Sequence, residues 1–129
     1  MTRHAGRLVP LALATVAVAA CAASTSAGGP LPSAPLGGAA IVADDLAFDR
    51  GTLEVPAGRP FLLVFENREG VPHNVTIVDG DSGQVRFAGD IFGGPASRTY
   101  EVPALAVGTH RFRCDVHLEM AGEVLARPR

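Results

Sequence analysis

The sequence contains no tryptophan and no lysine, and its 129 residues include one tyrosine, two cysteines and two methionines. Without lysine, and without arginines interleaved with aromatic residues, nothing in the chain indicates a nucleic-acid-binding surface. No apolar run reaches the ~20 residues that a membrane-spanning helix requires. Long helical periodicity is also absent, which argues against a helical bundle. What remains is the composition of a small β-rich domain preceded by a distinct N-terminal segment.

The first twenty residues have the pattern of a secretory signal peptide. Arg3, His4 and Arg7 supply a short basic region, and residues 8–20 are apolar with small residues toward their end. This apolar stretch is too short to span a membrane but has the length of a signal-peptide core. We therefore expect residues 1–20 to be a signal peptide and the protein to be exported.

Cys21 stands where the cleavage site of this signal peptide is expected. The run Val18-Ala19-Ala20-Cys21 resembles the lipobox of bacterial lipoproteins, in which the cysteine is lipidated. More than one acyl chain would give stable anchoring, so we expect attachment to the outer face of the cytoplasmic membrane through Cys21. The alternative is an ordinary signal peptide cleaved nearby, which would leave Cys21 free or remove it.

The chain after Cys21 divides into a tether and a domain. Residues 21–38 are mostly Ala, Ser, Thr, Gly and Pro, and such a segment buries too little surface to offset the entropy of ordering it. We expect a flexible tether there and a single domain over residues 39–129, which are enough to fold alone. Without Arg3 and Arg7, nine basic residues stand against 13 acidic ones, so the domain is mildly acidic.

Short β-prone runs alternate with glycine and proline along the domain. The predicted strands are residues 39–43, 52–55, 61–65, 75–78, 84–87, 98–102, 109–113 and 123–126. Seven or eight short strands with this spacing predict an all-β, antiparallel Greek-key sandwich. The continuous apolar run of residues 61–65 predicts a strand that is covered on both faces.

Four side chains in this domain can bind a soft metal ion. Cys114, His117 and Met120 lie at i, i+3 and i+6, and His73 lies far upstream. A thiolate, two imidazoles and a thioether form the ligand set of a blue-copper centre, in which a long axial Met bond completes a trigonal His2Cys plane. Strand alternation gives Cys114 the inward parity of Phe112 and leaves the next two ligands in the following loop. A helix would also place all three on one face, but the β alternation disfavours it.

Several other readings of these residues are open. A disulfide would need both Cys21 and Cys114, and it is excluded if Cys21 is lipidated or removed. Zinc accepts a His2Cys set but does not call for methionine. A Cys–His hydrolase lacks a group to orient its base and an oxyanion motif. His110 lies mid-strand, where we expect a structural role. Six acidic residues are interpreted as solvated charges: Asp44, Asp45, Asp49, Glu66, Glu69 and Glu119.

The domain resembles the cupredoxins, single-copper proteins of the plastocyanin and amicyanin type. The resemblance covers nearly all of residues 39–129 and includes LEVPAG (53–58), VFEN (64–67), VPHNV (71–75), GTHRFRC (108–114) and MAG (120–122). It implies a cupredoxin-like sandwich with one copper ion per chain. The implied copper ligands are His73, Cys114, His117 and Met120, with Asn74 bracing the two ligand loops.

The resemblance also implies a function. A cupredoxin of this kind is not an enzyme: it carries one electron between redox proteins, and as a monomer it docks transiently through an apolar patch around the second histidine ligand, His117. The patch residues here would be Val71, Pro72, Leu118 and Ala121. Leu118 departs from the family pattern, in which proline is common, and His110 stands where an aromatic residue is frequent. The alternative function is that of a copper chaperone or storage protein, which delivers Cu(I) to a cuproenzyme such as an oxidase.

Overall fold

A computed structural model describes residues 29–30 and 37–129. The predicted signal peptide, Cys21 and most of the predicted tether lie outside the described residues. Within the described part of the chain, no helix has the length and apolar character needed to cross a membrane. These residues form nine strands: β1 (Ala39–Asp44), β2 (Ala47–Phe48), β3 (Thr52–Pro56), β4 (Phe61–Asn67), β5 (Thr76–Val78), β6 (Val85–Ala88), β7 (Ala96–Val102), β8 (Gly108–Arg113) and β9 (Ala121–Arg127).

The nine strands form a two-sheet sandwich, which confirms the predicted all-β fold. The strand orders are β2-β1-β4-β7 and β3-β9-β8-β5-β6. Apolar side chains from both sheets meet in one hydrophobic core, as sheet-on-sheet packing requires. The chain passes repeatedly from one sheet to the other, so four of the seven neighbouring strand pairs join strands that are not consecutive in the sequence: β1–β4, β4–β7, β3–β9 and β5–β8.

Three details of the predicted fold are wrong. The β1–β4 and β3–β9 pairs are parallel, so the sandwich is mixed rather than purely antiparallel. β2 is a ninth strand, and its two residues are too few to show an alternating pattern. Residues 61–65 are covered on one face only, because Leu62 is 42% exposed whereas Phe61, Leu63 and Phe65 are buried. Exposed apolar residues are common on protein surfaces, so an apolar run alone did not show which face was covered.

The predicted alternation in β8 is confirmed. His110 and Phe112 are buried and their neighbours in the strand are exposed, and Cys114 continues the inward series with 0% exposure. Phe112 packs edge-to-face on Phe48, with 5.3 Å between the ring centroids. Phe48 packs in the same way on Phe65, with a centroid distance of 6.4 Å. Such contacts between rings from both sheets stabilise the core and fix the strand that ends at Cys114.

Gly122 in β9 lies where the chain leaves no room for a side chain. A Cβ atom there would lie 2.5 Å from the carbonyl oxygen of Gly51 and would overlap the ring of Phe112. This backbone oxygen accepts a hydrogen bond from the amide of Glu123 at 2.9 Å and lies directly before β3, so it cannot move freely and only glycine fits two residues after Met120.

We expect Gly122→Ala to lower the free energy of unfolding by about 1–3 kcal/mol, because the added methyl group overpacks the core. Chemical denaturation of the metal-free protein measures this change. The matched control is Gly51→Ala, where a Cβ atom meets nothing within 4 Å and the expected change is within about 0.5 kcal/mol. Equal effects of the two substitutions would contradict the packing argument.

Candidate metal centre

The four predicted ligands lie in two loops that are adjacent in the structure. His73 is in the loop between β4 and β5, and Cys114, His117 and Met120 are in the loop between β8 and β9. β8 pairs with both β5 and β9, which brings the loops together. The backbone of His73 is fixed by two hydrogen bonds of 3.1 Å to the backbone of Phe92.

Backbone hydrogen bonds close the loop from Cys114 to Met120. The amide of Cys114 donates to the carbonyl oxygen of Met120 at 2.9 Å, and the amide of Met120 donates to that of His117 at 3.0 Å. Cys114 and Met120 are 0% and 2% exposed, whereas His117 is half-buried. Cys114 is a free thiol among the described residues, and Cys21 lies outside them.

Three ligand atoms converge between the two loops. The Sγ atom of Cys114 lies 3.8 Å from Nδ1 of His73 and 4.0 Å from Nδ1 of His117. The two Nδ1 atoms are 3.1 Å apart. A point equidistant from all three atoms lies about 2.1 Å from each, close to the bond lengths of a first-row metal ion to imidazole nitrogen and thiolate sulfur. A metal ion of this class fits between the three side chains as they stand.

The two imidazoles approach each other closely. The ring centroids of His73 and His117 are 4.7 Å apart and the rings are tilted by 53°. Two unprotonated nitrogens at 3.1 Å would direct their lone pairs at each other, which is unfavourable unless a proton or a metal ion lies between them. Met120 closes the loop beside this pair, with its side chain in the buried core.

Asn74 connects the two ligand loops. Its Oδ1 accepts a hydrogen bond from the amide of Asp115 at 2.8 Å, and its Nδ2 donates to the Asp115 carboxylate at 2.9 Å and to the carbonyl oxygen of Gly89 at 3.1 Å. The hydroxyl of Thr76 donates to the same carboxylate at 2.6 Å. The residues directly after His73 and Cys114 are therefore bonded to each other.

Sequence reasoning missed the role of Asp115 altogether. Burial raises the pKa of this carboxyl, but hydrogen bonds from Asn74, Thr76 and Arg113 outweigh it and hold the pKa below its ordinary value. The carboxylate also forms an ion pair with Arg113 at 3.1 Å. Its position after a predicted ligand was visible in the sequence, but its partners come from 39 and 41 residues away.

Glu69 was interpreted from the sequence as a solvated surface charge, and that interpretation is wrong. Its Oε1 lies 2.7 Å from Nε2 of His73 and accepts a hydrogen bond from the amide of Leu46 at 3.0 Å. The Leu46 amide lowers the pKa of this carboxyl below its ordinary value, against the opposing effect of burial. Glu69 lies only four residues before His73, but the Leu46 amide that fixes its carboxylate is 23 residues away in the sequence.

The remaining predicted residues lie around the cluster or away from it. His110 is 4% exposed, and its Nε2 lies 2.9 Å from the carbonyl oxygen of Ala106, outside the ligand cluster. The predicted docking residues are all exposed: Val71, Pro72, Leu118 and Ala121. Leu118, the neighbour of His117, is 72% exposed.

We expect Asn74→Ala to loosen the link between the ligand loops in the metal-free protein. The substitution removes the donor to the buried carbonyl oxygen of Gly89, at a cost of roughly 1–3 kcal/mol, and it removes the acceptor of the part-buried Asp115 amide. Hydrogen exchange followed by NMR should therefore show faster exchange of that amide.

The matched control for this substitution is Asn67→Ala. Asn67 is also fully buried, and its Nδ2 donates to the carbonyl oxygens of Val71 and Phe92 at 2.8 Å each. It should destabilise the protein to a similar degree and leave the Asp115 amide protected. Protection of that amide in Asn74→Ala as well would contradict the proposed link.

Comparison with known proteins agrees with this fold. A family model of the cupredoxin-like domain matches residues 11–126. The chain is similar to dithionite-reduced auracyanin from Roseiflexus castenholzii, with 25% identity, a TM-score of 0.62, and coverage of 70% of this chain and 96% of the auracyanin. No curated protein matches the chain.

Two further structures show the same fold. Auracyanin A, a "blue" copper protein from Chloroflexus aurantiacus, is 23% identical with a TM-score of 0.59, over 68% of this chain and 96% of that one. Amicyanin from Paracoccus versutus is 19% identical with a TM-score of 0.56, over 72% and 84%. The matching structures are auracyanins and an amicyanin, one of them described as a blue copper protein, which agrees with the non-enzymatic role predicted from the sequence. Because the family model spans most of the chain, the protein belongs to the cupredoxin-like domain family.

Proposed function

We propose that the protein binds one copper ion through His73, Cys114, His117 and Met120 and carries one electron between redox partners. The observation that supports this most is the convergence of two imidazole nitrogens and one thiol sulfur on a single point. When bound, copper supplies a one-electron couple, Cu(I)/Cu(II). Thiolate and thioether favour Cu(I), and imidazole suits Cu(II), so this donor set serves both oxidation states.

Competing functions for the same residues have less support. The Cys114 thiol is 0% exposed, so an external substrate cannot reach it as a hydrolase would require. A zinc ion would make no use of the buried methionine in the loop. The closed loop and the Asn74–Asp115 bonds hold the donor atoms in place, and such fixed positions suit an ion that changes oxidation state repeatedly.

The surface around His117 suits a transient partner. His117 is half-buried between Val116 and Leu118, which are 47% and 72% exposed. We propose that a redox protein docks on this apolar patch, which extends to Val71 at 38% exposure. A small interface of this kind dissociates readily, and the protein would act as a monomer.

The proposed location rests on the N-terminal sequence. Residues 1–20 would direct export, Cys21 would carry the lipid, and residues 21–38 would tether the domain of residues 39–129 at the outer face of the cytoplasmic membrane.

Adding Cu(II) to the purified protein should produce an intense blue colour from thiolate-to-copper charge transfer, with one copper bound per chain. Cys114→Ser should remain folded and colourless, because serine cannot supply the thiolate. Visible spectra and metal analysis measure both outcomes. A colourless wild-type protein that retains no copper would overturn the proposed function.

The copper-loaded protein also distinguishes the two proposed functions, electron carrier and copper chaperone. A carrier is reduced and reoxidised through many cycles without loss of copper, whereas a chaperone transfers Cu(I) rapidly to a copper-free acceptor protein. Repeated chemical reduction and oxidation, followed by copper analysis, should show full retention.

Lipidation is tested by expressing the full chain in bacteria with an alkyne-labelled fatty acid. The wild-type protein should take up the label and sediment with membranes, and Cys21→Ser should do neither. Cys114→Ser is the matched control and should keep the label. A wild-type chain that stays unlabelled in the soluble fraction would exclude the lipid anchor and leave the copper proposal standing.

A further inference from the structure

The two nitrogen atoms of the His73 ring have different neighbours. Nδ1 points to the thiol of Cys114 and to His117, while Nε2 lies 2.7 Å from the Glu69 carboxylate. With a carboxylate as its acceptor, Nε2 carries the proton and Nδ1 is left with a free lone pair. The ring is 0% exposed, so no water competes for either nitrogen.

Hydrogen bonds fix both the backbone and the side chain of Glu69. Its amide donates to Oδ1 of Asn67 at 3.0 Å, and its carbonyl oxygen accepts from the amide of Gly94 at 2.8 Å. Its Oε1 accepts from the amide of Leu46. A Cβ atom on Gly94 would collide with the carbonyl oxygens of Asn67 and Glu69, so this close approach requires glycine. The carboxylate is therefore fixed against the His73 ring.

The donor from Leu46 comes from an unusual turn. Asp45 and Leu46 join β1 to β2 with φ values of 52° and 56°, a left-handed conformation that costs energy for residues other than glycine. Strained residues of this kind persist where the surrounding structure holds them in place. Here the turn directs the Leu46 amide at the carboxylate that supports a predicted ligand.

The charge on Glu69 has no basic partner besides His73 among the described ion pairs. Its neighbour Arg68 is paired with Glu66 at 2.7 Å. The Glu69 side chain is 19% exposed, so solvent screens it only in part. Asp115 differs in both respects, since it is paired with Arg113 and is 33% exposed.

We propose that Glu69 positions His73 and sets the preference of the centre for Cu(II) over Cu(I) through its uncompensated negative charge. Reduction adds one electron from the redox partner and removes one positive charge from the ion, and a fixed carboxylate opposes that loss. This inference rests on the proposed function, because it concerns the copper ion bound there. It gives the carrier a lower reduction potential than the four ligands alone would set.

Glu69→Gln tests the charge while keeping the geometry, since the amide oxygen still accepts from the Leu46 amide and from Nε2–H of His73. We expect the Cu(II)/Cu(I) equilibrium to shift at least tenfold toward Cu(I), which is a rise of about 59 mV for a one-electron couple. Asp115→Asn should shift it less, because Arg113 already offsets that charge. Spectroelectrochemical titration of the copper-loaded protein measures each potential.

Glu119→Gln is the matched control. Glu119 lies in the ligand loop beside Met120 but is exposed, so solvent and salt screen its charge. The small change in reduction potential caused by Glu119→Gln should vanish at high salt, whereas the change caused by Glu69→Gln should persist. Equal potentials in wild type and Glu69→Gln, or equal shifts in Glu69→Gln and Glu119→Gln, would overturn the proposal.

A second measurement needs no copper. In the metal-free protein, 15N NMR should show the Nε2–H tautomer of His73 in wild type and Glu69→Gln, and a mixture of tautomers in Glu69→Ala. An unchanged tautomer in Glu69→Ala would exclude the positioning role. A wild-type protein with the expected tautomer that binds no copper would instead refute the proposed function.

Discussion

The reciprocal hydrogen bonds between Asn74 and Asp115 are the contact on which the metal centre depends. The two residues are 41 positions apart, and each directly follows a predicted ligand, His73 or Cys114. Because these hydrogen bonds join the residues next to the two predicted ligands, they fix the distance between the His73 imidazole and the Cys114 thiol. The paired strands fix the direction in which the two side chains point. Thr76 bonds to the same carboxylate and extends the link into β5. A site assembled from two loops is thereby held as one unit.

Those parts of the structure that depend on local pattern could be predicted from the sequence. The alternation in β8 is a property of the strand itself, so it gave the burial of Phe112 and Cys114 directly. Chemical type predicted the ligand set, because a thiol, a thioether and imidazoles are the donors of a blue-copper site, and the structure brings three of the four residues together. The spacing of Cys114, His117 and Met120 allowed only a short loop, and the structure closes it with backbone bonds.

The parts that could not be predicted depend on contacts between distant segments. In the sequence Glu69 looked like any exposed acid. The Leu46 amide, which donates a hydrogen bond to its carboxylate, is brought near only by the pairing of β1 with β4. That pairing is parallel, and nothing in the two apolar strands specifies its direction. The role of Asp115 was equally hidden in the sequence, because its partners Asn74 and Thr76 are 41 and 39 residues away. The predicted ligand set thus depends on local features of this sequence, whereas the contacts that support those residues depend on its topology.

The two histidines have different surroundings, and this difference separates two functional requirements. His73 is fully buried and held at both ring nitrogens, so in the proposed carrier its loop would control the electrostatic environment of the ion. His117 is half-buried between two exposed apolar residues, so its loop would control access by the proposed partner. Because Glu69 and Leu118 belong to different loops, the proposed function predicts that a change in one alters the reduction potential and a change in the other alters docking. An electron carrier benefits from this separation, since its potential and its partner surface can then be adjusted independently.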